Sequence, residues 1–280
     1  MTYCDETDEA LAAILRPGNA GSNTAADHIE VIQDALVQVP AELIETIEIL
    51  VQADSAGATH ELLDFCREHR LRYTVGYELS GAVRAAILKL PEDSWIAALA
   101  SDGSERENGQ IAEITEFLDL SGWPAGSRVI IRRERAHPGA QLSFTDHDGH
   151  RFQGVLTDQP DPDIQVLERR QRQRAHAKTH IRNDKDTGLR NMPFREFEHN
   201  RVWLKLVGIA HDLLVWTQRL LLTGELAACE PKRLRYRLLH VAARLAFHAR
   251  TATLRIHAAW PWAQALTAAF KRARTLPALA

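Results

Sequence analysis

The chain has 280 residues, 45% of them hydrophobic and 25% charged, with a formal net charge of -3. A chain of that length can bury roughly three quarters of its unfolded surface, and the composition is that of a globular protein rather than a disordered or fibrous one. Cys4, Cys66 and Cys229 are far apart and odd in number, which excludes a disulfide framework and a paired-cysteine zinc site and fits a reducing, cytoplasmic compartment.

The first ten residues, MTYCDETDEA, are acidic and lack the apolar region of a signal peptide. The most apolar helix, VWLKLVGIAHDLLVWTQRLLL, is interrupted by Lys205, His211, Asp212 and Arg219, so it reads as a core helix and not as a membrane span. The small net charge hides an asymmetry. Residues 1–167 hold 12 Lys and Arg against 29 Asp and Glu, a balance of -17, whereas residues 168–280 hold 22 against 8, a balance of +14. A basic half of this kind suits a polyanionic partner; the bland reading is that the two halves attract each other.

In chain order, ALAAIL reads as a strand, followed by a Gly/Asn-rich turn and a helix. Thr24 with Asp27 three residues on has the pattern of a capping box, and Ile29, Ile32, Leu36 and Val39 follow at helical spacing. The turn RPGNAGSN could cradle a phosphate but lacks the Gly-Lys-Ser/Thr ending of a P-loop. The run Ile47, Ile49, Leu50, Val51 reads as a buried parallel strand that ends at Asp54. Gly57 marks the next turn, and residues 59–69 form a helix with Leu62, Leu63 and Cys66 inward. Ligands of α/β sheets bind beyond the carboxyl ends of strands. Asp54 is therefore either a metal-binding carboxylate or the cap of the next helical turn.

RYTVGYEL is a further strand and SGAVRAAILKL a further helix, so residues 8–90 alternate as a parallel sheet does. SRVIIRRERA, QLSFTDHDGH and HRFQGVLTDQ then read as antiparallel strands, with Asp148-Gly149 as a hairpin turn. After DQPDPD the chain reads as helical to its end. One stretch there, RRQRQRAHAKTHIRNDKDTGLRNMP, is helical in pattern but almost free of apolar residues. On a continuous helix Gln171, Arg174, Lys178, Arg182 and Lys185 would share a sector of about 80°. Such a cationic face repels itself unless an anion lies on it, which favours phosphate over solvent. His176 and His180 stand at i, i+4 spacing, but no third metal ligand is near.

Three of these stretches carry a resemblance. LRPGNAGSNTAADHIEV, VQADSAG and RQRAHAKTHIRNDKDTGLRNMPF resemble the signature, the second-aspartate strand and the third-acid helix of a bacterial insertion-sequence transposase of the DDE type, transposase DDE domain group 1. The likeness runs nearly end to end and is to the C-terminal part of such a protein. It implies an α/β fold: a partial ribonuclease H-like core with a β-rich insertion and a C-terminal helical, basic region. The implied division is 1–92 for the truncated core, 93–163 for the insertion, 164–223 for core-completing helices and 224–280 for the basic tail.

The resemblance also implies chemistry. The family cuts and joins DNA strands with three carboxylates holding two Mg²⁺ ions. Asp54 stands at the second aspartate and is the implied metal ligand. The third-acid helix of the family reads Tyr or His, two residues, Arg, three residues, Glu, six residues, Lys; here those places hold Gln171, Arg174, Lys178 and Lys185. Arg174, Arg182, Lys185 and Arg190 are the implied DNA contacts. Lys178 occupies the glutamate position, and the first aspartate belongs to a segment preceding residue 1. The expectation is a truncated DDE transposase that binds DNA, does not cut it alone, and has Lys178 within reach of Asp54. The alternative is a non-catalytic DNA-binding or regulatory partial transposase acting on an intact, full-length relative. No membrane partner is implied.

Overall fold

The computed structural model describes residues 1–21, 24–135 and 146–277. In chain order the elements are β1 Thr2–Tyr3, β2 Ala10–Ala12, α1 Ala25–Leu36, α2 Ala41–Ile44, β3 Leu50–Ala53, α3 His60–Glu68, β4 Arg72–Tyr77 and α4 Gly81–Ile87. Then come β5 Ile96–Leu99, β6 Glu105–Glu113, β7 Arg128–Arg135, β8 His150–Thr157, α5 Ile164–Gln173, α6 His176–Asp184 and α7 Phe197–Trp216, and finally α8 Pro231–Leu234, β9 Ala243–His248, β10 Thr251–Ile256 and α9 Ala263–Ala273. The chain divides into two compact units, residues 19–176 and residues 1–18 with 177–280.

The unit of residues 19–176 is built on a six-stranded sheet of order β3-β4-β8-β7-β6-β5. β3 and β4 are parallel, with Leu50 opposite Arg72 and Ala53 opposite Val75. Every other pairing in the sheet is antiparallel, beginning with β8 on β4. The antiparallel strands therefore extend the sheet that holds Asp54's strand. Tyr73, Thr74 and Val75 are all buried, so β4 is covered on both faces, as an interior strand next to a parallel partner is. α5 packs Leu167 against Ala98, Ile111, Ile130 and Val155, the core of this unit's antiparallel part. β3 is an edge strand of only four residues, and short edges limit unwanted pairing.

The capping box at α1 forms as the pattern requires. Asp27 N–H donates to Thr24 Oγ1 at 3.2 Å, and Thr24 N–H donates to Asp27 Oδ2 at 2.7 Å. The buried residues of α1 are Ala25, Val31, Ile32 and Ala35, which shifts the stripe by one position from the one spacing suggested and leaves Ile29 and Leu36 half-buried. Leu62, Leu63 and Cys66 are fully buried on α3, as their spacing demanded. Asp148-Gly149 forms the turn before β8. Half of the strand expected at 141–150, residues 141–145, lies outside the described residues, as do Ser22 and Asn23 of the Gly/Asn-rich turn.

The unit of residues 1–18 and 177–280 departs from the expected pattern in four places. β2 pairs with β1 and not with the sheet. α7 buries one face only, through Asn200, Leu204, Val207, His211 and Val215; Val202, Leu206, Ile209 and Leu213 are each half or more exposed, so it is not a core helix on all sides. No described helix is long and apolar enough to cross a membrane. The C-terminal region is not helical throughout: β9 and β10 form a hairpin, with Arg244 opposite Arg255 and Phe247 opposite Ala252. Ala, Leu and Arg favour helix by propensity, but ARLAFH and TATLRI alternate at period two and carry β-branched threonines, and the alternation decides.

The fourth departure is in the basic stretch, which is not one helix. α5 ends with Arg174 as its C-cap, where Arg174 N–H bonds Gln171 O at 3.3 Å and Ala175 N–H bonds Arg172 O at 3.0 Å. These shortened bonds tighten the last turn. α6 then runs only to Asp184, and residues 185–189 form a wide turn of π geometry in which Gly188 takes φ 152°. A side chain at Gly188 would also meet Trp203 at 3.1 Å. Arg174 therefore belongs to one unit, and Lys178, Arg182 and Lys185 to the other.

Candidate nucleic-acid interface and carboxylate site

Asp54 follows directly on β3, at the carboxyl end of a parallel strand. Its side chain is exposed and caps the adjoining short turn, accepting from Ala56 N–H at 3.1 Å. The turn is held tightly against the sheet. A Cβ at Gly57 would lie 2.5 Å from Ala53 Cβ, and one at Gly76 would lie 2.8 Å from Ser55 N. Both glycines are thus required by close approach, and together they fix where the Asp54 carboxylate emerges.

The last turn of α5 is anchored to the same strand. Gln171 Nε2 donates to Ala53 O at 3.0 Å and Gln52 Nε2 donates to Arg170 O at 3.2 Å. Gln171, expected on a cationic outer face, is instead buried and spends its amide on the strand that ends at Asp54. Arg174, at the C-cap of that helix, is half-buried.

Several cations of the basic stretch already have partners that sequence reading did not supply. Arg172 Nε bonds the buried carboxylate of Glu168 at 3.0 Å, and Arg132 bonds the same carboxylate. Burial lowers the Arg172 guanidinium from its usual value, against the pull of Glu168. Arg182 reaches Glu230 at 3.2 Å and Arg190 reaches Asp186 at 3.2 Å. These two pairs are exposed, so each is worth about 0–1 kcal/mol and yields readily to a phosphate. Lys178 and Lys185 are exposed on α6 and the turn after it, and among the described residues neither pairs with a carboxylate.

A second cluster, missed by sequence reading, sits behind α6. Asp184 is fully buried. It accepts from Tyr3 Oη at 2.5 Å and from His211 Nδ1 at 2.6 Å, while His211 Nε2 donates to Asp8 O at 2.7 Å. Both ring nitrogens of His211 face acceptors, so both carry protons and the ring is an imidazolium. Burial alone would lower His211; the Asp184 carboxylate and the Asp8 carbonyl outweigh it and raise it. Burial, with Asp184 beside it, pushes the Tyr3 phenol up. His180 stacks on Tyr3 with ring centroids 4.9 Å apart, and burial lowers it. The N-terminal segment is further pinned by Ala10 N–H to Asp212 Oδ1 at 2.8 Å and Trp216 Nε1 to Glu9 at 2.6 Å. The i,i+3 and i,i+4 spacing after Lys178 hid this cluster, because its partners come from residues 3, 8 and 211.

These shifts give opposite limbs to the pH dependence of this unit. His211 is raised when folded, so its stabilisation is complete below its ordinary value of about 6.5 and is lost as pH rises through the raised one. His180 is lowered, so its neutral form holds above about 6.5 and the unit weakens as pH falls below that. Thermal melts across this range should show the alkaline limb shrinking in His211→Gln and the acid limb shrinking in His180→Gln. Unchanged limbs would mean that the cluster does not titrate with folding.

Among the described residues no group of three His, Cys, Asp or Glu side chains is placed to hold a metal ion. Asp54 offers one carboxylate, already engaged in capping. The donor set present does not fit a two-metal centre, and His176 with His180 does not supply one.

No curated protein matches the chain. A family model described as transposase DDE domain group 1 matches residues 1–278. That family is defined by DNA cleavage and strand transfer, its members use divalent metal, and DNA is their substrate. With the match covering nearly all of its length, and with a mixed α/β sheet carrying an aspartate at the end of a parallel strand, the chain belongs to the DDE transposase family, domain group 1.

Proposed function

We propose that this chain is a DNA-binding DDE transposase polypeptide that does not cut DNA by itself. The observation that carries the reading is Lys178: the position where the resemblance calls for a metal-binding glutamate holds an exposed lysine. An ammonium there repels Mg²⁺ and leaves the third of the family's carboxylates unfilled. Arg174, Arg182, Lys185 and Arg190 are the phosphate contacts, since guanidinium and ammonium groups bind phosphate oxygens in charge-assisted hydrogen bonds. Their binding is weak and nearly independent of sequence.

Incubating supercoiled plasmid with the protein in Mg²⁺ or Mn²⁺ should give no nicking. Metal-dependent nicking that disappears in Asp54→Ala would overturn the catalytic half of the reading. Lys178→Glu alone should raise metal affinity only slightly. For the binding half, roughly four cations of this stretch on phosphate predict that they contribute about -3.6 to the slope of log K against log salt. Arg174→Ala with Lys185→Ala should flatten it by about 1.8. An unchanged slope would show that these cations do not meet DNA.

A further inference from the structure

We propose that the hairpin β9–β10 is a second, separate contact for duplex DNA, gripping the phosphate backbone through its cationic face and tip. The last fifty residues, 231–280, contain ten Lys and Arg and not one Asp or Glu. The hairpin is the part of that region that stands clear: ten of its twelve strand residues are exposed. Its register sorts the side chains. Arg244, Ala246 and His248 lie opposite Arg255, Thr253 and Thr251 and share one face, because side chains alternate along a strand. Leu245, Phe247 and Leu254 take the other face.

Arg244 and Arg255 are thus directly opposed across the ladder. Like charges in that position destabilise a strand pair, and a hairpin of two strands is marginal by itself. Among the described residues neither guanidinium pairs with a carboxylate. The repulsion is relieved if an anion bridges the two. Arg250 adds a third cation at the turn, next to Ala249 at φ 52°. Between the arginines the face carries only Ala246, Thr251, Thr253 and His248, small or polar groups that let a sugar-phosphate backbone come close. Phosphates of a duplex recur at a fixed spacing along the groove edge, which a two-stranded ribbon can follow. The anchorage of the ribbon is independent of its cations. Trp260 Nε1 donates to Arg237 O at 2.8 Å, and Arg237, which also pairs with Glu225 at 3.5 Å, lies over the Trp262 ring at 5.2 Å. Removing Arg244, Arg250 and Arg255 therefore leaves this footing untouched.

The test is binding of the full chain to a short random-sequence duplex, read by fluorescence anisotropy from about 50 to 200 mM salt. The triple variant Arg244→Gln, Arg250→Gln, Arg255→Gln should flatten the slope of log K against log salt by about 2.7 and weaken binding at least tenfold at the low-salt end. Its melting should not fall, since the exposed positions lose only a mutual repulsion across the ladder. A full wild-type slope in this variant overturns the proposal. The basic stretch around α6 is judged by its own variant, Arg174→Ala with Lys185→Ala, so each surface can fail while the other stands. Binding to phosphatidylserine vesicles in place of duplex, lost in the same triple variant, would assign the ribbon to an anionic membrane surface and likewise overturn it.

Discussion

Asp184→Ala should destabilise the unit of residues 1–18 and 177–280 by about 3–5 kcal/mol, the usual result of breaking a buried charged pair. The substitution leaves the His211 imidazolium and the Tyr3 hydroxyl without their acceptor in a place water does not reach. An unsatisfied buried donor costs the full desolvation of that group. The effect is local first: β1 and β2 lose the bond that draws Tyr3 onto α6. Hydrogen exchange should therefore speed up in residues 2–12 and in α7 before the unit melts, with the sheet of the other unit unaffected. Asp184→Asn should cost less, because its carbonyl can still accept one of the two bonds. If Asp184→Ala melts like the wild type, the cluster is decorative and the N-terminal segment is held by its other contacts, at Asp8, Glu9 and Asp212.

The second large effect is expected at Glu168. Its carboxylate is 1% exposed and faces Arg132 and Arg172, with Arg132 also bonding Gln153. Removing that carboxylate leaves the buried Arg132 with only the longer Glu134 contact at 3.4 Å and the half-buried Arg172 with no carboxylate among the described residues, so Glu168→Ala should cost about 3–5 kcal/mol. Glu168→Gln keeps the acceptor and loses the charge, and should fall between alanine and wild type. The discriminating variant replaces the whole set. Arg132→Met, Glu168→Leu and Arg172→Met together should recover most of the lost stability, because apolar side chains of similar volume do not need the pairing. If the triple variant is no better than Glu168→Ala, the loss came from packing of α5 on the sheet and not from charge. Because α5 carries Gln171 onto Ala53, slower or faster exchange at β3 is the readout that links this charge cluster to the setting of Asp54.

Much of the fold was legible in the residues themselves. The capping box at Thr24 is a local event within four residues, so nothing distant could override it. The strand leading to Asp54 was readable as a parallel strand from its apolar run, but not as the buried one expected: it starts at Leu50 and lies half-buried at the edge of the sheet, with Ile47 exposed, because which strand has a second neighbour is settled by the tertiary fold. Leu62, Leu63 and Cys66 followed from periodicity alone. The same local reasoning failed at Arg174, where the helix stops without a glycine or proline to announce it. What ends it is the pull of Gln171 and Arg170 onto β3, a contact across more than a hundred residues. It failed again at β9–β10, where propensity for helix competed with a period-two pattern and a partner strand settled the matter.

The sequence by itself determined the family and the gathering of positive charge after residue 167, since both depend only on the order of residues. Only the tertiary structure decided which of those cations are free. Arg172, Arg182 and Arg190 find carboxylates at Glu168, Glu230 and Asp186, whereas Lys178, Lys185, Arg244 and Arg255 find none among the described residues. It alone also built the Asp184–His211–Tyr3 cluster, from residues some two hundred positions apart. The physical reason is the same in both cases: charge and hydrogen-bonding capacity are properties of a residue, but whether they are satisfied is a property of distance, and chain order does not fix distance beyond a few turns.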